Sequence, residues 1–164
     1  MKRRKILEAG ALVLGTVWLS DYLTRKTETM ATSNTKFEIN KTEEEWRSIL
    51  TPEQFRVLRK HGTERAGSSP LDKIYDDGTY LCTGCNQPLF TSETKFNSGT
   101  GWPSFFQPID GAIETSVDKS LFMTRVEVHC SRCGGHLGHV FGDGPAPTGQ
   151  RYCMNGVSLQ FVPA

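Results

Sequence analysis

Cys82-Thr83-Gly84-Cys85 and Cys130-Ser131-Arg132-Cys133 each place two thiols on one tight turn, and 44 residues lie between Cys85 and Cys130. Two sulfurs so placed can both reach about 2.3 Å from a shared ion, the usual zinc–thiolate distance. Gly84 lies inside the first turn and Gly134-Gly135 follow the second, so the backbone can curl there without a Cβ penalty. The separation is longer than in a simple finger. One zinc ion held by Cys82, Cys85, Cys130 and Cys133 would therefore tie two distant strand turns together. Four protein ligands complete a tetrahedron, so the ion, one per subunit, is expected to be structural. Two alternatives stand beside this reading. The motifs can be independent redox pairs, although no βαβ context surrounds either, and His136 can supply a nitrogen in place of one thiolate.

Working outward, 164 residues suit a single folded domain. Lys plus Arg number 19 against 18 for Asp plus Glu, so no broad basic face is implied and nucleic acid is not an expected partner. Gly at 16 and Pro at 8 favour short strands and turns over a helical bundle. The expected class is mainly β (α+β). Five cysteines, an odd number, argue against a purely disulfide-stapled secreted fold.

Residues 1–23 have a signal-like layout, with Lys2, Arg3, Arg4 and Lys5 ahead of an apolar run from Ala9 to Leu19. That run is about half of the roughly 20 residues a membrane span needs, so a signal h-region or an uncleaved membrane anchor is expected. The paired arginines resemble a twin-arginine export signal, which would deliver a folded, metal-loaded chain to the periplasm. The alternative is translation from Met30 and a cytoplasmic protein. Residues 24–41 are polar and read as a linker, and residues 42–164 as the domain.

Thr42 with Glu45 forms a capping-box pattern ahead of a short helix to Leu50. Thr51, Pro52 and Gln54 start a second helix, which Gly62 is expected to stop. From Leu121 to Cys130, Phe122, Val126 and Val128 alternate with Arg125, Glu127 and His129, a half-buried strand period. Val157, Leu159 and Phe161 alternate likewise. A strand running unbroken from before Arg151 would give Cys153 the same buried-facing parity as Val157, whereas Asn155-Gly156 can break that register.

Four metal ligands out of five cysteines leave Cys153 as the free thiol. A lone strand cysteine is ordinarily a buried small hydrophobe. Its neighbours point elsewhere. Arg151, two residues away, can lower the thiol pKa if its guanidinium lies close. His136 and His139, with Asp143 near them, offer a general acid, a base and an orienting group for thiol chemistry.

Gly99-Thr100-Gly101-Trp102-Pro103-Ser104-Phe105, His136-Leu137-Gly138-His139-Val140-Phe141 and Arg151-Tyr152-Cys153-Met154-Asn155 together resemble the B-type methionine sulfoxide reductases. His61-Gly62-Thr63-Glu64 fits the same family's upstream signature, and the resemblance runs from about Thr42 to Phe161. It implies two antiparallel sheets opening like a tent, with short helices at the N-terminal side. It makes Cys153 the nucleophile and Trp102 the ring that faces the substrate methyl. His136, His139 and Asn155 position and protonate the sulfoxide oxygen, Asp143 and Arg151 surround the thiolate, and the knuckle cysteines hold zinc. The substrate implied is the R epimer of methionine sulfoxide in oxidised proteins or peptides, reduced through a sulfenic acid on Cys153 in protein repair.

One departure matters. Many members carry a resolving cysteine in the Gly-x-Gly-Trp motif, where this chain has Thr100. With the other thiols on zinc, the sulfenic acid is expected to be reduced by an external thiol such as thioredoxin, and the enzyme to work as a monomer. The segment Arg65–Pro70 also departs from the family pattern. A non-catalytic zinc module, docking through Trp102, Phe105 and Phe106, is the rival from another class, and a different thiol-based reductase or a thiol peroxidase the rival enzyme.

Overall fold

The computed structural model describes residues 37–120 and 123–164. The leader expected over residues 1–23 and the strand start expected at Leu121 and Phe122 lie outside the described residues. Among the described residues no helix is long and apolar enough to cross a membrane.

Helix α1, Glu43–Ile49, begins with a closed capping box: the Thr42 hydroxyl accepts from Glu45 N–H at 3.2 Å and Glu45 accepts from Thr42 N–H at 2.7 Å. Helix α2, Pro52–Lys60, repeats the device with Thr51 and Gln54. Each cap contributes about 1 kcal/mol. Helix α2 stops one residue before the expected glycine, because His61 takes the left-handed conformation at φ 52°. The helices bury Trp46, Phe55, Val57 and Leu58. Arg59 lies over the Trp46 ring at 4.7 Å and donates to the Cys133 carbonyl at 3.0 Å, fastening helix to knuckle.

Among the described residues nine strands follow: β1 Gly78–Cys82, β2 Pro88–Thr91, β3 Lys95–Phe96, β4 Ser104–Phe105, β5 Ile113–Asp118, β6 Arg125–Cys130, β7 His136–Phe141, β8 Arg151–Met154 and β9 Leu159–Pro163. They form two antiparallel sheets, ordered β2-β1-β9 and β3-β4-β8-β7-β6-β5. One core joins them. Tyr80, Leu89, Phe90 and Leu159 of the smaller sheet share it with Phe105, Val128, Leu137 and Met154 of the larger, and Phe90 stacks on Phe105 at 4.3 Å. Burying each such side chain is worth roughly 1.5–3 kcal/mol.

One open strand choice is settled and one strand expectation is corrected. The chain does not run unbroken from Arg151 to Phe161. Asn155-Gly156 ends β8, a 3-10 turn spans Gly156–Ser158, and β9 joins the other sheet, so Cys153 and Val157 share no parity. In β6 the apolar residues are not uniformly inward. Val128 is fully buried but Val126 is 41% exposed, while His129 on the polar side is only 6% exposed. The polar face of this sheet is covered, and it carries the site.

Candidate active site

Ser116, Glu127, His139, Cys153 and Ser104 are successive cross-strand partners on β5, β6, β7, β8 and β4. Directly opposed residues of antiparallel strands point to one face, so this row gathers polar side chains on one side of the sheet. Gly138 permits the approach of β8, since a Cβ there would meet the Cys153 carbonyl oxygen and Met154 Cα.

Cys153 is half-buried, with its sulfur 3.9 Å from the Thr100 hydroxyl. Burial pushes the thiol up, and the Thr100 hydroxyl and Arg151 guanidinium offset only part of that. The expectation that Arg151 lowers the thiol pKa is met in sign but not in outcome, because desolvation wins. Arg151 is held by Asp143 through two hydrogen bonds of 2.9 Å and lies 4.5 Å over the Phe141 ring.

His136 and His139 are three apart on β7, which in a regular strand would send them to opposite faces. A register shift between Val128 and His129 of β6 lets both rings meet, 5.4 Å apart. Asp143 is not their orienting acid. His139 Nε2 lies 2.9 Å from Asp118, which also takes Arg125 at 2.6 Å, and His136 Nδ1 lies 2.6 Å from Glu127. The Ser120 backbone N–H, the Ser120 side chain and His139 hold the Asp118 carboxyl well below the usual carboxylate range.

Trp102 donates from Nε1 to the Glu64 carbonyl at 3.3 Å. Asn155, 3% exposed, accepts from Glu64 N–H at 2.9 Å and donates to the Leu137 carbonyl at 3.0 Å, so its amide is locked. The Glu64 carboxylate takes Gly156 N–H at 2.6 Å and Val157 N–H at 2.9 Å, fixing the turn after Asn155. Trp102, His139, Asn155 and Cys153 line one cavity of about 130 Å³ with Thr63, Arg125, Gly138 and Phe141. Sites that bury a drug-sized ligand are roughly 300–1,000 Å³, so this one has room only for something the size of a side-chain end. His136 stands behind His139 rather than in the lining. A larger cleft of about 570 Å³ lies behind Glu64 and contains neither cysteine nor histidine.

Cys82, Cys85, Cys130 and Cys133 turn their sulfurs to one another, all within 4.8 Å. Cys82 and Cys133 are 3.8 Å apart and Cys85 and Cys130 3.5 Å. Four sulfurs about 2.3 Å from one ion stand about 3.8 Å apart, so the spacing fits a structural metal site. The cluster needs no histidine, and no knuckle thiol reaches the cavity.

Glu127, Asp118 and Arg125 were missed by the sequence reading, and Thr63 and Glu64 stood in it only as part of the upstream motif, with no role given. The local signal for Glu127 and Arg125 was that they occupy the polar positions of β6, a face ordinarily solvated.

An antiparallel β domain with a four-cysteine cluster spaced for a structural metal, and a fifth cysteine in a side-chain-sized cavity beside histidine and tryptophan, has the layout of an oxidoreductase. The SelR domain matches residues 50–163, and the chain belongs to that family, the B-type peptide methionine sulfoxide reductases. It is 56% identical over 126 residues to peptide methionine sulfoxide reductase MsrB of Leptospira interrogans, covering 76% of this chain and 96% of that protein. Identity is 58% over 124 residues with MsrB of Methanosarcina barkeri, covering 75% and 87%. With the chloroplastic peptide methionine sulfoxide reductase B2 of Arabidopsis thaliana it is 54% over 127 residues, covering 76% and 62%.

Proposed function

We propose that this chain reduces the R epimer of methionine sulfoxide in peptides and proteins through a sulfenic acid on Cys153, regenerated by an external thiol such as thioredoxin. The observation that carries this is the position of Cys153: it alone among five cysteines is outside the metal cluster, and it lines the cavity with Trp102, His139 and Asn155.

The substrate methyl packs on the Trp102 ring, while His139, His136 and Asn155 serve the oxygen. A sulfoxide sulfur is electrophilic once its oxygen is protonated. The Cys153 thiol attacks, a new S–O bond replaces that of the sulfoxide, and the thiol proton reaches the oxygen by way of an imidazole. Methionine sulfur gains two electrons and the cysteine sulfur loses them. Arg151, anchored by Asp143, steadies the developing thiolate. Zinc suits the four-cysteine cluster, where it would hold the two knuckles together and take no part in the reaction.

The test is turnover of separated R and S sulfoxides by the wild-type chain and Cys153→Ser. Consumption of R alone, lost in the variant by at least about a hundredfold, is expected. Undiminished activity in Cys153→Ser would overturn the reading.

A further inference from the structure

Glu127, between His139 and Ser116 in the cross-strand row, has no part in the chemistry above. Its Oε1 accepts from His136 Nδ1 at 2.6 Å and from His61 Nδ1 at 2.8 Å, and its Oε2 accepts from the Ser116 hydroxyl at 3.1 Å. Burial pushes the carboxyl up, but hydrogen bonding to His136 and the nearby His61 outweigh it and hold it below its ordinary value. An ionised carboxylate can only accept, so His136 carries its proton on Nδ1. Burial also holds His136 below the ordinary imidazole range, so the resting ring is neutral and its Nε2 bare. That Nε2 is buried and meets no hydrogen-bond partner among the described residues, while the His136 ring lies 5.4 Å from that of His139, which lines the cavity. A buried acceptor left without a partner is costly, and is tolerated where substrate or water will meet it.

We propose that Glu127 is a positioning residue for sulfoxide reduction: it fixes the Nδ1–H tautomer of His136, presents Nε2 to the oxygen side, and stabilises the imidazolium formed as Nε2 relays the thiol proton. The inference rests on the reductase reading. Nε2 takes up the proton that Cys153 gives up and returns it to the departing oxygen, so His136 ends unchanged and no further reactant is consumed. The ring carries the positive charge that Glu127 stabilises only when the relay is loaded, which makes the effect of Glu127 one on turnover rather than on substrate binding. The titratable groups facing His136 are Glu127 from β6, His61 from the end of α2 and His139 from its own strand.

The experiment is steady-state kinetics on a peptide R sulfoxide with wild type, Glu127→Gln and Glu127→Asp, each assayed for bound metal and Tm. Glu127→Gln keeps the shape and an acceptor but loses the charge. Its kcat is expected to fall roughly ten- to a hundredfold with KM within about threefold. The acid limb of its pH profile, where protonation of Nε2 disables the relay, should move down by roughly one to three units, because the imidazolium has lost its counter-charge. Glu127→Asp keeps the charge but withdraws it by one methylene, and should lose kcat as well. Wild-type kcat and pH profile in Glu127→Gln would overturn the proposal. Metal and Tm falling in step with activity in both variants would mark a structural brace and overturn it too. A wild-type chain inactive on the R sulfoxide would instead sink the reductase reading itself.

Discussion

The Cys153 sulfur and the Thr100 hydroxyl face each other at 3.9 Å, and Thr100 is itself steadied by Ser98 at 2.8 Å. A hydroxyl therefore occupies the place from which a second thiol would reach the reactive one. Thr100 can bond to the thiol, but it cannot resolve a sulfenic acid.

Thr100→Cys should convert this one-thiol site into a two-thiol site. A disulfide needs its sulfurs about 2.05 Å apart, so the pair must close by about 2 Å, within reach of side-chain rotation. After one turnover without reductant, the wild type should carry a single added oxygen on Cys153. The variant should have lost that oxygen as water and bridged residues 100 and 153. Non-reducing peptide mapping reads both. A bridge from Cys153 to any knuckle cysteine in the wild type would contradict the separation of thiols described here.

Both helix caps, the four-cysteine cluster and the association of Cys153 with Trp102, His139 and Asn155 were legible in the sequence, because each rests on short spacings or on a motif. The acids that orient the histidines were not. Glu127 and Asp118 reach His136 and His139 through strand register, and the shift opposite His129 that brings both rings to one face leaves no local signature. Alternation in β6 was read as apolar-in, yet exposed Val126 and inward Glu127 reverse that at the site, since both faces of this strand are partly covered. Arg151 was read as the activator of the thiol. Burial, which sequence does not display, is the larger influence on Cys153.

Releasing the metal should loosen the whole domain rather than only the reaction. Cys82 lies in β1 of the smaller sheet and Cys130 in β6 of the larger, and both are fully buried in the shared core. Structural zinc contributes roughly 10–16 kcal/mol in finger peptides. If about 4 kcal/mol of that is realised here, Tm falls by about 8–16 °C. Calorimetry before and after mercurial release with chelation measures it. An unchanged Tm in metal-free protein would show that the cluster is not a structural staple.

Asp118 makes folding acid-sensitive in a way that asparagine at the same place should blunt. The Ser120 backbone N–H at 2.8 Å leads the interactions that depress its pKa, with His139 at 2.9 Å and Arg125 at 2.6 Å adding to it. A carboxyl depressed in the folded state stabilises it above the unfolded pKa of about 3.9, and that stabilisation is lost as pH falls through the lower folded value. Below about pH 4 the unfolded chain takes up the proton that folded Asp118 still refuses, so the denaturant midpoint of the wild type should drop with decreasing pH. In Asp118→Asn the midpoint should be lower at pH 6 and its slope between about pH 4 and 3 shallower, because one titrating group has gone. Parallel midpoint curves for the two proteins would mean that Asp118 titrates alike in both states, and that its contacts with Ser120, His139 and Arg125 do not favour its charged form.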